Sequence, residues 1–172
     1  KFEWKLSADA YLGIGANLGN PLETFDKALN LISSFGSIQK LSKIYKSAPF
    51  GYSNQPPFTN AAVHLKTNSS PLDLLSQMKD VESQLGKKVI HKNGPRIIDL
   101  DLLLYDNLVI KTGELTLPHP GILIRDFVLL PMIDLDSSLT HPTWGSKTLK
   151  SALSGLQKKF VENEPELWNY PD

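Results

Sequence analysis

Two aspartates separated by a single residue, Asp99 and Asp101, lie in the stretch KNGPRIIDLDLLLYD, with Arg96 three residues before the first. Ionised carboxylates are costly to bury without a partner, so an acidic pair in a leucine-rich run faces either water or something positive. Alternation along a strand predicts Ile98, Leu100, Leu102 and Leu104 on a core face and Asp99, Asp101, Leu103 and Tyr105 on the other. Two carboxylates so placed, roughly 6 to 7 Å apart between Cα atoms, raise one another's pKa unless a cation intervenes. The chemistry this suits is that of divalent metals. The spacing serves two Mg²⁺ ions about 3.5 to 4 Å apart, which take one or two protein carboxylates and fill their other positions with water and phosphate oxygens. Arg96, following the Gly94–Pro95 turn, is placed to clamp a phosphate. A bare Asp-x-Asp reads as a wetted acidic edge; the whole Gly-Pro-Arg-x-x-Asp-Leu-Asp run followed by leucines favours a site.

Other residues are weaker alone. Phe58 and Asn60 share a face of FTNAAVHLKT, an aromatic plate and an amide suited to a flat heterocycle. Arg125 and Phe127 share a face if IRDFVLL is extended, giving a second cation and a second plate. His64, His91, His119 and His141 do not pair at metal-ligand spacing, so a zinc site is not expected. His119, between Pro118 and Pro120, reads by itself as a surface or structural residue. The glycines of GIGANLGN fit neither a dinucleotide fingerprint nor a P-loop. They predict a tight strand-to-helix turn, whose helix N-terminus favours an anion or a polar ligand.

The elements that must hold these residues follow from periodicity and punctuation. Ala10–Ile14 predicts a strand. NPLETFDKALNLISSFG predicts a helix capped by Asn20, with Pro21 at its first position, Glu23 closing a capping box, Leu22, Phe25, Leu29 and Ile32 inward, and Gly36 at its end. SIQKLSKIYKS predicts a strand with mixed faces, and Ser47 to Phe58 a long loop. FTNAAVHLKT turns Ala61, Val63 and Leu65 to one side. A second helix, capped by Ser70 and Asp73, buries Leu74, Leu75, Met78, Val81 and Leu85 and stops at Gly86. After the Asp99–Asp101 strand, Leu108–Ile110 predicts a partner strand, SKTLKSALSGLQKKF an amphipathic helix, and ENEPELWNYPD a tail. The order β-α-β-β-α-β predicts an α+β, ferredoxin-like core with an antiparallel sheet, extra C-terminal strands and helices, and α/β/α layers.

Bulk properties narrow the class. The 172 residues predict one domain, and 18 basic against 18 acidic residues argue against a nucleic-acid binder. No cysteine is present, which removes disulfides and thiolate chemistry and suits a reducing cytoplasm. No apolar run approaches membrane-spanning length, and no signal-peptide pattern opens the chain. The first residue is Lys, which suits a domain taken from a longer chain.

KNGPRIIDLDLL, together with YLGIGANLGNP, APFG, FTNAAV and LPHPGILIRDFVLLP in that order, closely resembles the 6-hydroxymethyl-7,8-dihydropterin pyrophosphokinases of folate biosynthesis. The resemblance covers about residues 10 to 156 of a single domain spanning 1–172. It implies transfer of pyrophosphate from ATP to the hydroxymethyl group of the pterin, releasing AMP. It further implies that Asp99 and Asp101 hold two Mg²⁺ ions, with Asp99 also facing the pterin. Arg96, Thr116, His119 and Arg125 would bind ATP. Phe58 and Phe127 would sandwich the pterin, with Asn60 at its polar edge and the Ser47–Phe50 segment beside it. Three departures fall in loops that close over substrates in the family. Lys87 stands where an arginine important for turnover often sits, and a lysine cannot form the same bidentate fork. The segment 86–96 is a residue shorter than in some relatives, with Asn93 where an aromatic can occur, and Ala48 replaces a proline. The implied setting is the cytoplasm, or an organelle for a eukaryotic fusion with other folate-pathway domains, with neither nucleic acid nor membrane as partner. Two rivals stand beside this reading: another two-metal phosphoryl or nucleotidyl transferase, and a catalytically idle binding module.

Overall fold

A computed structural model describes residues 7–88, 91–162 and 164–171. Within the 86–96 segment Val89 and Ile90 lie outside the described residues, as do the first six residues, Asn163 and Asp172. The order is β1 (Ala8–Ala16), α1 (Pro21–Ile32), β2 (Ser37–Leu41), β3 (Tyr45–Ser47), β4 (Phe58–Thr67), α2 (Pro71–Gln84), β5 (Asp99–Tyr105), β6 (Ile110–Lys111), β7 (Thr116–Leu117), α3 (Asp126–Leu135) and α4 (Leu149–Gly155).

The sheet runs β2-β4-β1-β5, all neighbours antiparallel, with β3 pairing the first part of β4. Counting β2 and β3 as one interrupted strand gives the expected ferredoxin-like arrangement. One face carries Phe25, Leu29 and Ile32 of α1 and Leu74, Met78 and Val81 of α2 against Leu12, Val63, Leu65 and Leu100. The opposite face packs Leu129, Met132 and Leu135 of α3 and Leu149 of α4 against Ala62, Leu103 and Leu104. The result is a layer of helices on each side of the sheet.

Both main helices start where their caps place them. The Asn20 side chain accepts from Glu23 N and the Ser70 side chain from Asp73 N, each with proline at the head of the helix. The Glu23 carboxylate, however, reaches forward to Lys27 at 3.1 Å rather than back to the cap, and Leu22 lies exposed. α1 ends at Ser33, whose N–H and hydroxyl both bond Leu29 O, three residues before Gly36. Gly36 instead lies against Leu65, where a Cβ would come within 2.7 Å. Gly86 ends α2 as expected, at a φ of 87° that side chains rarely adopt.

Four other expectations change. β1 does not break at the glycines but continues to Ala16, so Gly13 and Gly15 lie in the middle of the sheet. The β5 alternation fails after Leu102. A register shift pairs Tyr11 with Leu104 and Leu12 with Leu102, so Leu103 and Leu104 both join the α3/α4 core while Tyr105 packs on the other side. Leu108–Ile110 does not pair with β5; Ile110–Lys111 forms a separate two-stranded ribbon with Thr116–Leu117. The C-terminal helix stops at Gly155, a weak helix former, and the tail then extends along β3. Ala48 N donates to Phe160 O, Glu162 N to Lys46 O, and Ile44 and Glu166 exchange two bonds.

Candidate active site

The sheet positions the acidic pair with glycines beside it. In the antiparallel register Gly15 stands between Asn60 of β4 and Asp99 of β5, and Gly13 between Ala62 and Asp101. With no side chain on the central strand, a trough of about 70 Å³ opens between Asn60 and the aspartates, walled by Leu103, Phe127 and Val128. It adjoins a cleft of about 150 Å³ lined by Ser47, Phe50, Phe58, Asn60, Arg96, Asp99, Asp101, His119, Arg125 and Phe127 among others. Ten of the residues singled out from sequence therefore line one cavity. A wider groove of about 950 Å³ between α1, β2 and the tail shares no residue with it and contains no carboxylate pair.

The two aspartates differ in company. Asp99 Oδ1 accepts from Lys87 Nζ at 2.9 Å and lies 3.4 Å from Arg96 Nη1. Asp101 has no hydrogen-bond or ion-pair partner among the described residues. Its carboxylate opens to solvent at the cleft floor, so a cation from outside can reach it, although protein surrounds the floor on its other sides. That enclosure, then the neighbouring charges of Asp99 and Glu82, push Asp101 up to about 7, against the opposing pull of Lys87 and Arg125. An uncompensated carboxylate beside a second one is a donor set suited to a hard divalent ion. No group of three or more His, Cys, Asp or Glu converges among the described residues. Any ion held here would thus keep most of its positions for water or ligand oxygens.

Two residues that sequence reasoning missed organise this chemistry. Glu82, buried on α2, accepts from Lys87 Nζ at 2.7 Å and from Leu100 N at 2.8 Å. It therefore grips both the ammonium and the strand that flanks Asp99. Burial alone would lower Lys87, but Asp99 and Glu82 outweigh it and hold the ammonium above its ordinary value. Lys87 does not line the cleft; it acts on it through Asp99. The signal for Glu82 was its place beside Val81 on the inward side of α2, where an unpaired carboxylate would not be tolerated.

Asn17 is the second. It is buried where β1 ends, and its Oδ1 accepts from Arg96 N at 2.8 Å while its Nδ2 donates to Gln55 Oε1 and Pro56 O, each at 2.9 Å. Asn17 N and Leu18 N both donate to Arg96 O. The glycine-rich loop thus spends its donors on the Gly-Pro-Arg turn rather than on an anion, and fixes Arg96 at the cleft edge.

The remaining groups fall on three sides. Arg125 and Phe127 do not share an extended face as predicted. Arg125 stands at the N-cap position of α3, its side chain making no capping bond there, and Phe127 lies in the first turn. Arg125 places its guanidinium 4.3 Å from the Phe50 ring centre, and its Nε is buried without a hydrogen-bond partner among the described residues. His119 Nδ1 accepts from Gly121 N at 2.9 Å, which leaves the proton of the neutral ring on Nε2. Burial, then Arg125, lowers the His119 pKa and keeps it neutral. Asn60 Nδ2 donates to Ser47 Oγ at 2.8 Å and Tyr45 O at 3.3 Å, leaving Oδ1 toward Gly15 as its free acceptor. Thr116 lies exposed on β7 and is not among the residues lining the cleft.

Comparison with known proteins matches residues 11–137 to the family model described as 7,8-dihydro-6-hydroxymethylpterin-pyrophosphokinase. A 2-amino-4-hydroxy-6-hydroxymethyldihydropteridine pyrophosphokinase of Aquifex aeolicus is 39% identical over 137 residues, 80% of this chain and 86% of its own. One of Bacillus subtilis is 36% identical over 162 residues, 90% of this chain and 97% of its own. A folic acid synthesis protein of Dictyostelium discoideum is 40% identical over 161 residues, 90% of this chain but 24% of its own. The wild-type Plasmodium falciparum HPPK-DHPS structure with pteroate superimposes with a TM-score of 0.73, covering 88% of this chain and 45% of that one. At 16% identity that likeness bears on the fold alone.

Proposed function

The chain belongs to the 7,8-dihydro-6-hydroxymethylpterin-pyrophosphokinase family, and from that membership together with the cleft we infer how its residues divide the reaction. The activity is ATP-dependent pyrophosphate transfer to the hydroxymethyl group of 6-hydroxymethyl-7,8-dihydropterin in folate synthesis. In this transfer the hydroxymethyl oxygen bonds the β-phosphorus and releases its proton to solvent, the bond from the β-phosphorus to the α–β bridging oxygen breaks, and AMP leaves with that oxygen.

We assign the pterin to the trough and its mouth, between Phe58 and Phe127. Asn60 Oδ1 is then the acceptor for a ring N–H, and the Ser47–Phe50 backbone lies beside the ring. The triphosphate belongs at the Arg96, His119 and Arg125 side, where two guanidinium groups and a neutral imidazole N–H can donate hydrogen bonds to its oxygens. Thr116 is assigned to the nucleoside end, beyond the cleft. Asp99 and Asp101 are the residues that would hold Mg²⁺, two ions on this reading. Bound there, the metal supplies charge neutralisation on the bridging oxygens and alignment of the β-phosphorus. The chain itself holds the attacking oxygen and the phosphate in register on a rigid sheet. The observation that carries this assignment is the unpartnered Asp101 beside Asp99 in a cleft with aromatic and cationic sides.

We also propose that residues 1–172 act as a single domain, in the cytoplasm or, within a eukaryotic fusion, in an organelle. Among the described residues no helix is long and apolar enough to cross a membrane.

Product analysis with ATP labelled in its β-phosphate tests the reading. AMP and a pterin carrying the label support it; ADP or free pyrophosphate rejects it in favour of another transferase.

A further inference from the structure

Phe160 lies outside the 11–137 stretch matched to the family, in the segment that sequence reasoning treated as the end of a helix and a tail. Its backbone ties together the two walls of the cleft. Phe160 O accepts from Ala48 N at 2.7 Å, on the loop that leads to Phe50. Phe160 N and Val161 N donate to Asp126 Oδ2 at 2.9 and 3.0 Å, in the first turn of the helix that carries Phe127. Asp126 is buried, so its tether is shielded from competing water. The Phe160 ring fills the angle between these walls, its centre 5.7 Å from Phe50 at 60° and 5.8 Å from Phe127 at 89°. Phe50 and Phe127 themselves are 6.4 Å apart. Phe160 is not among the lining residues of the cleft; it stands behind them.

We infer that Phe160 is a positioning residue for pterin recognition, a buttress through which the C-terminal strap sets the separation of the Ala48–Phe50 loop and the Phe127 wall. The inference rests on the assignment of the pterin to the Phe58–Phe127 region. A flat ring stacked on Phe127, with the Ser47–Phe50 backbone along its edge, depends on the placement of both to a few tenths of an ångström. The triphosphate side is held by Arg96 and His119 as well as Arg125, and of these only Arg125, which lies over Phe50, meets a ring that Phe160 contacts, so the strap bears on it less. Loss of the Phe160 ring removes one tilted and one edge-on ring contact and frees both walls, which corresponds to about a tenfold loss of pterin affinity.

The test is calorimetry on the full chain, with 6-hydroxymethylpterin and, separately, a nonhydrolysable ATP analogue with Mg²⁺. The variants are Phe160→Ala, Phe160→Tyr, Asp126→Asn and Phe127→Ala, each checked by circular dichroism for a cooperative melt. Phe160→Ala is expected to weaken pterin about tenfold and the ATP analogue less than twofold, with Phe160→Tyr restoring binding. Asp126→Asn, which keeps the ring but loosens its tether, is expected to weaken pterin selectively by a smaller factor, and decides the matter if Phe160→Ala does not fold. Unchanged pterin affinity in Phe160→Ala, or equal loss of both ligands, overturns the positioning role while a selective loss in Phe127→Ala keeps the site assignment standing. Unchanged pterin affinity in Phe127→Ala overturns the site assignment and the inference with it.

Discussion

The Lys87 ammonium lies 2.9 Å from Asp99 Oδ1, with 15% of one side chain and 33% of the other exposed, and the same ammonium lies 2.7 Å from Glu82 Oε2. A compact ammonium at the junction of two carboxylates makes a bridge that the planar guanidinium of an arginine would form differently. Lys87→Ala leaves Glu82 and Asp99 both without this cation. The expected cost is about 3 kcal/mol, the lower end for breaking a buried pair, read as a lower urea midpoint. Lys87→Arg retains the charge and is expected to lose less than half as much.

Asp101 sets a pH dependence of the metal-free chain. Its carboxyl is raised in the folded state from an ordinary 3.8 to about 7. The folded chain therefore binds that proton more tightly than the unfolded chain does. The stabilisation is full below about pH 4 and is lost as the pH rises through about 7. In the presence of a chelator, the melting temperature of wild type relative to Asp101→Asn is expected to fall across this range and then level. A difference that rises with pH contradicts the enclosure and the neighbouring charges that raise this carboxyl.

Asn17→Ala removes three side-chain hydrogen bonds that hold Arg96 and the Gln55–Pro56 loop. Leaving buried backbone groups unsatisfied costs about 2 kcal/mol. With Arg96 less well placed, the KM for ATP is expected to rise several-fold, more than the KM for pterin. Steady-state kinetics with each substrate varied checks this.

Gly15→Ala places a methyl group 3.4 Å from Asn60 Oδ1, in the trough between Asn60 and Asp99. That is ordinary contact within the protein, but the methyl fills space the pterin would occupy, so pterin affinity is expected to fall about fivefold, equivalent to about 1 kcal/mol. The melting temperature should change little, because β1 is extended there and accepts alanine. Calorimetry with pterin and a thermal melt on the same sample measure both.

These residues also mark what the sequence made legible. The Asp99–Asp101 pair, the Arg96 turn and the Phe58–Asn60 face were readable because each depends on local alternation or on a proline turn. The first two helices were readable from their caps. The Leu103–Leu104 register shift was not, because a bulge is set by the partner strand Tyr11–Leu12 and not by the leucine run itself. Gly13 and Gly15 read as a turn because a glycine that opens a trough in a central strand leaves the same local pattern as one that bends a loop. Glu82 and Asn17 depend on partners 18 and 79 residues away, and Phe160 on Asp126, 34 residues before it. Such contacts exist only once the layers are packed.

Binding of Mn²⁺ in place of Mg²⁺, followed by electron paramagnetic resonance with a nonhydrolysable ATP analogue present, addresses the acidic pair most directly. Wild type is expected to hold two ions per chain. Asp101→Ala is expected to keep a cooperative melt, lose at least one ion, and turn over at least roughly 10³-fold more slowly, as the loss of several kcal/mol of charge stabilisation requires. An Asp101→Ala chain that binds Mn²⁺ like wild type and works at a near-normal rate in saturating Mg²⁺ would contradict the account.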